Sequence, residues 1–320
     1  MENSGSFKKR TIISVALFVL AFVGLILIAS FHDFKISQIL TKNSLPSGQY
    51  ISNNGFGLLF EAIGSSPIYI MSGIACTIWF WWAIRKNKMW LAVIAAILVI
   101  VANFVFFSDI FKYVGRHFAA SISGVVESEG FFASPYIKTI EVMMSIMLSG
   151  LLIVSWGWIK PETNDKLVKW SFIIFAVLAC YLVIHFVKGP VGRMRYRAMN
   201  VTGDWNAFTN WYVLNGKRAI EGLPDDCCKS FPSGHTYSAA AIYSLLCLPA
   251  ILESWNKRWI KVTLFTVTIG YTGIVAISRL IVGAHFMSDV LIGGTLAFLV
   301  VMIAREVFIY KGAHIKIFKS

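Results

Sequence analysis

The chain has 320 residues, 57% hydrophobic and only 14% charged, with a formal net charge of +13. A soluble domain carries about a quarter charged residues, and here the apolar residues fall in long blocks, so the composition excludes an ordinary soluble protein and points to an integral membrane protein. The positive surplus is what the cytoplasmic loops of such proteins collect, and no nucleic-acid partner is read from it.

Residues 1–10 are polar and end in Lys8-Lys9-Arg10; residues 11–31 then run 21 positions without a charge. That length spans a bilayer as a helix and is too long for the apolar core of a cleaved leader, so it is read as an uncleaved first span. Residues 32–66 read as a polar loop with turn formers at Pro46, Gly48 and Asn53-Asn54-Gly55, part of it (56–62) lying in the membrane interface. A second span covers 67–84, Arg85-Lys86-Asn87-Lys88 is a tight basic turn, and 89–108 is the third span. Residues 109–140 read as a loop with a short interfacial helix. The fourth and fifth spans are 142–159 and 170–187, separated by a charged connection. A long polar stretch follows from 188 to 234; then come the sixth span (236–252), a basic connection, the seventh (262–277), the eighth (about 283–304) and a basic tail. The expected fold is all-α: a polytopic transmembrane helix bundle of about eight spans. Residues 1–88 form accessory N-terminal helices, 89–310 the core and 311–320 a basic cytoplasmic tail.

With the N-terminus in the cytoplasm, alternation puts nearly every short basic cluster on the inner side, as the positive-inside rule requires. Both termini are then cytoplasmic, in a multi-pass protein of the plasma membrane. The 188–234 stretch and the 278–285 turn fall together on the outer face. The outer stretch carries Lys188, Arg193, Arg195, Arg197, Lys217 and Arg218 against the charge bias, which suggests an anion site.

The titratable residues on that face form a chemical set. His285 and Asp289 are four apart at the start of a helix and share a side of it. The carboxylate can fix one imidazole nitrogen as a donor and leave the other free to attack. His235 opens another helix directly after Pro232-Ser233-Gly234, where free N–H groups and the helix dipole favour an anion. Arg279 adds a planar guanidinium matched to phosphate oxygens. Lys188 and Arg195, seven apart, share a face if their stretch is helical. Two histidines, a carboxylate and three cations are equipment for phosphoryl transfer: one histidine attacks phosphorus, the other protonates the departing oxygen, and the cations stabilise the remaining oxygens.

Lys188-x6-Arg195, Pro232-Ser233-Gly234-His235 and Ser278-Arg279-x5-His285-x3-Asp289 resemble, in order and spacing, the three motifs of the type-2 phosphatidic acid phosphatase, or lipid phosphate phosphatase, superfamily. The resemblance covers roughly residues 170–305. It implies that His285 is a nucleophile forming a phosphohistidine, that Asp289 orients it, and that His235 protonates the leaving group. It further implies that Lys188, Arg195, Ser233, Gly234 and Arg279 hold the phosphate, without metal or other cofactor. The implied substrate is a lipid phosphate or diphosphate in the membrane, such as undecaprenyl diphosphate, phosphatidylglycerol phosphate or phosphatidate; no obligate protein partner is implied. The family has proline after the first-motif arginine where Tyr196 stands here, and Arg193 and Arg197 are close enough to compete for that arginine's role. Two alternatives stay open: a phosphotransferase passing the group to a sugar or lipid acceptor, and a non-catalytic protein that binds or transports lipid phosphates. His32, His117, His185 and His314 read as structural, and the adjacent Cys227 and Cys228 have no assigned role.

Overall fold

The structure, a computed structural model, describes residues 4–123 and 134–311. Among these the chain is all helical, with no strand. The helices are α1 (Ser4–Thr41), α2 (Gly55–Ile63), α3 (Ser66–Arg85), α4 (Met89–Ser123), α5 (Pro135–Trp156), α6 (Pro161–Val191), α7 (Tyr196–Thr202), α8 (Gly234–Ala240), α9 (Leu248–Ile251), α10 (Arg258–Ile281) and α11 (Met287–Phe308). Seven helical segments among the described residues are long and apolar enough to cross a membrane. The stretch expected as a sixth span is not one of them, because it is divided into α8, a 3-10 turn (Ala241–Cys247) and α9. It still runs antiparallel along α6: the Tyr237 hydroxyl donates to the Val177 carbonyl at 2.9 Å, and Trp170 Nε1–H donates to the Ser244 carbonyl at 2.9 Å.

Many side chains on α1, α4, α5 and α6 point outward and are apolar, including Leu20, Ile97, Leu151 and Phe186. Such a surface suits hydrocarbon and not water. Between apolar helices in lipid, association rests on close packing and on polar contacts with no exposed alternative. The structure supplies both. Ile68, Ile78, Ile173, Val177, Tyr237, Ala297 and Val301 form one buried cluster joining α3, α6, α8 and α11. Asn103 Nδ2 donates to Ser149 Oγ at 2.8 Å between α4 and α5, and Trp79 Nε1 to Ser171 Oγ at 2.8 Å between α3 and α6.

Three expectations need correction. α1 runs on to Thr41 where a loop was expected, because Asp33, Ser37 and Thr41, at helical spacing, all turn inward and are buried. α4 likewise continues to Ser123, so the first half of the 109–140 segment is helix; residues 124–133, like the tail from 312, lie outside the described residues. Lys188 and Arg195 do not share a helix. Pro190 and Gly192, the latter in the left-handed region at φ 59°, end α6, and Arg195 instead precedes α7.

A second buried cluster, with Leu45, Tyr50, Met194, Tyr196, Met199, Cys227, Cys228 and Phe286, caps one end of the bundle. Both cysteines are free, with their sulfurs 3.7 Å apart. The Ser44 hydroxyl donates to the Ile281 carbonyl at 2.6 Å, tying the segment after α1 to the end of α10. The end of α6, the start of α8, the end of α10 and the start of α11 all meet beneath this cap.

Candidate functional site

The turn between α10 and α11 is built by its own backbone. The Arg279 carbonyl accepts from Ala284 N at 3.1 Å and His285 N at 3.3 Å, folding the six residues back on themselves. Gly283 makes this possible at φ 65°, with Leu45, Tyr196 and the Arg197 backbone packed around it. The turn ends where Phe286 N donates to Asp289 Oδ2 at 2.8 Å, which starts α11. His285 is fully buried. Its Nδ1 lies 3.7 Å from Asp289 Oδ2, longer than a hydrogen bond, and its Nε2 lies 3.4 Å from Arg195 Nη1. A guanidinium can only donate, so Nε2 carries the lone pair and Nδ1, facing the carboxylate, carries the proton. Burial pushes the imidazole pKa down to about 3, so the ring is neutral.

Three arginines in one short stretch take three different partners. Arg193 is fully buried; its Nη1 meets Asp289 Oδ1 at 2.5 Å, its Nη2 meets Asp33 Oδ2 at 3.0 Å, and its guanidinium lies over the Phe286 ring at 4.2 Å. Arg197 donates to Glu61 Oε1 at 2.9 Å and stacks on Tyr50 at 4.4 Å. Arg195 is the one that reaches His285, steadied by Asp226 at 3.1 Å and by the Asp226 and Ala284 carbonyls. Of the three competitors, only Arg195 has its guanidinium against His285.

The 232–235 run docks onto α11 through Ser233, whose N–H donates to the Asp289 carbonyl at 3.0 Å and whose hydroxyl accepts from Thr236 N at 3.3 Å to open α8. Lys188, buried at the end of α6, has its Nζ 3.2 Å from where a Cβ on Gly234 would stand. Arg279 is fully buried, donates from Nη2 to the Gly57 carbonyl at 2.6 Å and leaves Nη1 unbonded, 3.6 Å from Glu61 Oε1. His235 is partly exposed and its Nε2 lies 3.2 Å from the Glu61 carbonyl oxygen. A carbonyl only accepts, so here Nε2 is the protonated nitrogen. The two histidines therefore hold opposite tautomers.

All eight residues singled out from sequence gather at this end of the bundle. Several equally close groups were not foreseen. Asp33, Ser230 and Ser288 join the Asp289 network: Ser230 Oγ donates to Asp289 Oδ2 at 2.5 Å, Ser288 N donates to Asp33 Oδ1 at 3.0 Å, and the Ser288 hydroxyl also bonds Asp33. Glu61 binds Arg197 and also His117, whose Nε2 lies 3.2 Å from Glu61 Oε2, so the structural role of His117 is exerted beside the site. The inward spacing of Asp33, Ser37 and Thr41 was the one available signal for α1; nothing local marked Glu61.

The adjacent glycines of α11 give a direct test of this packing. A Cβ on Gly293 would stand 2.5 Å from the Ser233 carbonyl oxygen, whereas one on Gly294 would make ordinary contacts at 3.5 Å and beyond. Gly293→Ala is expected to push the 232–235 run off α11 and to cut turnover at least about tenfold, a displacement effect of the size set by misplaced catalytic groups. Gly294→Ala is expected to stay within about twofold of the parent, since surplus contacts at van der Waals distance cost little. Turnover rates of the two purified variants decide it.

Residues 169–312 match the family model described as the PAP2 superfamily. No curated protein and no solved structure matches the chain. The matched range contains Lys188, Arg195, Ser233, Gly234, His235, Arg279, His285 and Asp289; Asp33, Glu61 and His117 lie before it.

Proposed function

We propose, from the match of residues 169–312 to the PAP2 superfamily model, that this chain is a membrane phosphatase of that superfamily removing phosphate from a lipid phosphomonoester or diphosphate at the outer membrane surface. The observation that carries the reading is the pair of opposite tautomers: a buried neutral His285 whose lone pair is on Nε2, beside Arg195, and a His235 whose Nε2 is committed as a donor.

In the proposed reaction, Lys188, Arg195 and Arg279 hold the phosphate oxygens, with the Ser233–Gly234 turn beside them. Nε2 of His285 attacks phosphorus in line, and the P–O bond to the lipid breaks as the P–N bond forms. His235 in its charged form gives the departing oxygen a proton, an effect worth about 10²–10⁴-fold. The charge that develops on the imidazole at Nδ1–H is met by Asp289. Water then attacks the phosphohistidine, His235 takes its proton back, and inorganic phosphate leaves. Three guanidinium and ammonium groups supply the positive charge that the transferring oxygens need. A site at the end of the bundle lets a long acyl or prenyl tail remain in hydrocarbon, which favours lipid substrates such as phosphatidate, phosphatidylglycerol phosphate or undecaprenyl diphosphate.

The test is a panel of these three lipids in detergent with EDTA present. Phosphate release from at least one of them is the expected outcome. Transfer of the group to an added sugar or lipid in place of water would make the protein a phosphotransferase, and binding of the panel without turnover would remove the catalytic reading.

A further inference from the structure

Glu61 stands before the matched range, on α2, yet among the described carboxylates outside that range it touches the most groups of the site. Its Oε1 receives Arg197 at 2.9 Å and its Oε2 receives His117 at 3.2 Å, while its main-chain carbonyl receives Nε2–H of His235 at 3.2 Å. It is buried, and its helix also presents the Gly57 carbonyl to Arg279 at 2.6 Å. On its other side the His235 ring meets the edge of Tyr113 from α4, with centroids 5.1 Å apart. The carboxylate stops 3.6 Å short of Arg279 Nη1, which leaves that donor free for another anion.

We propose that Glu61 is the positioning residue for His235: pinned at both carboxylate oxygens by Arg197 and His117, it holds its carbonyl against Nε2–H, so that Nδ1 is the nitrogen that gives a proton to the leaving oxygen and takes one from water. The proposal rests on the reading of His235 as the acid. A carbonyl oxygen cannot donate, so the bond leaves only Nδ1 to exchange protons. The charge of Glu61 has a second effect. Burial holds the His235 pKa well below its ordinary value; Arg279 from α10, His285 and Lys188 from α6 push the same way, and Glu61 opposes them. The acid form of His235 is lost as pH rises through its pKa. Removing the charge of Glu61 lowers that pKa, so the alkaline limb of the rate profile moves to lower pH.

The experiment compares a simple alkyl phosphate, whose leaving alkoxide needs the proton, with para-nitrophenyl phosphate, whose leaving group scarcely does. Glu61→Gln is expected to lose at least about tenfold more kcat on the alkyl than on the aryl ester, with KM little changed and the alkaline limb moved to lower pH. Glu61→Asp, which keeps the charge, is expected to restore the position of the limb. His235→Ala, measured alongside, should show the same alkyl-over-aryl loss. Equal losses of Glu61→Gln on both esters, with the split intact in His235→Ala, would overturn the role of Glu61 and leave that of His235 standing. No split in His235→Ala would overturn both. Nitrogen NMR of isotope-labelled histidine in the parent protein needs no variant: protonation of His235 at Nε2 is expected, and a neutral ring protonated at Nδ1 would overturn the proposal.

Discussion

His285→Ala is expected to lose phosphate release by at least ~10³-fold, about 4 kcal/mol of transition-state stabilisation, while the protein still folds. The contrast follows from the surroundings of the ring. His285 makes one long contact through Nε2 and none of hydrogen-bond length through Nδ1. Deleting it strands no buried charge, because Asp289 keeps Arg193, Ser230 and the Phe286 N–H. The cost to stability is then that of a modest cavity, about 1–3 kcal/mol. Thermal unfolding of the detergent-solubilised variant, measured beside its phosphate release, separates the two effects. A variant that melts with the parent but retains full activity would remove His285 from the reaction.

Arg193→Ala is expected to do the opposite kind of damage. Among the described residues Arg193 is the only cation bridging Asp33 and Asp289, and all three side chains are fully or almost fully buried. Its loss leaves two carboxylates facing each other without a counter-ion. Breaking a buried pair costs about 3–5 kcal/mol, and here one substitution breaks two, so the variant is expected to melt far below the parent or fail to accumulate. Asp33→Asn should be milder, at about 1–2 kcal/mol, because an amide oxygen at the Oδ2 position still accepts from Arg193 and the Ser288 hydroxyl, and only the Ser288 N–H loses its acceptor. Combining Arg193→Met with Asp33→Asn should recover part of the lost stability, since it removes one of the stranded charges. Unfolding midpoints of the four proteins give the answer; an Arg193→Ala protein as stable as the parent would mean that the bridge does not hold α1 to the site.

These two outcomes explain why part of the site could be read from sequence and part could not. His285 and Asp289 are four apart at a helix start, and His235 follows a helix-opening Pro-Ser-Gly run, so local geometry alone puts their chemistry on view. The spans were legible for a similar reason: apolar length is a local property. Segment 236–252 is helical as expected, but its middle tightens into 3-10 geometry, which apolar length does not reveal. Arg193 and Arg197 read only as rivals of Arg195, because their partners, Asp33 and Glu61, lie more than a hundred residues earlier and are reached only through the packing of α1 and α2. The polar residues of 32–41 looked like loop because polarity was weighed without its period; at i, i+4 and i+8 they make one buried stripe, and that stripe carries the carboxylate that Arg193 needs.

The most direct measurement of the central claim is a rapid quench of the protein during turnover of a radiolabelled lipid phosphate, followed by mapping of the bound label. The account requires an acid-labile, alkali-stable phosphoryl group on His285, absent from His285→Ala. Efficient turnover with no protein-bound label, or with the label on another residue, would contradict it.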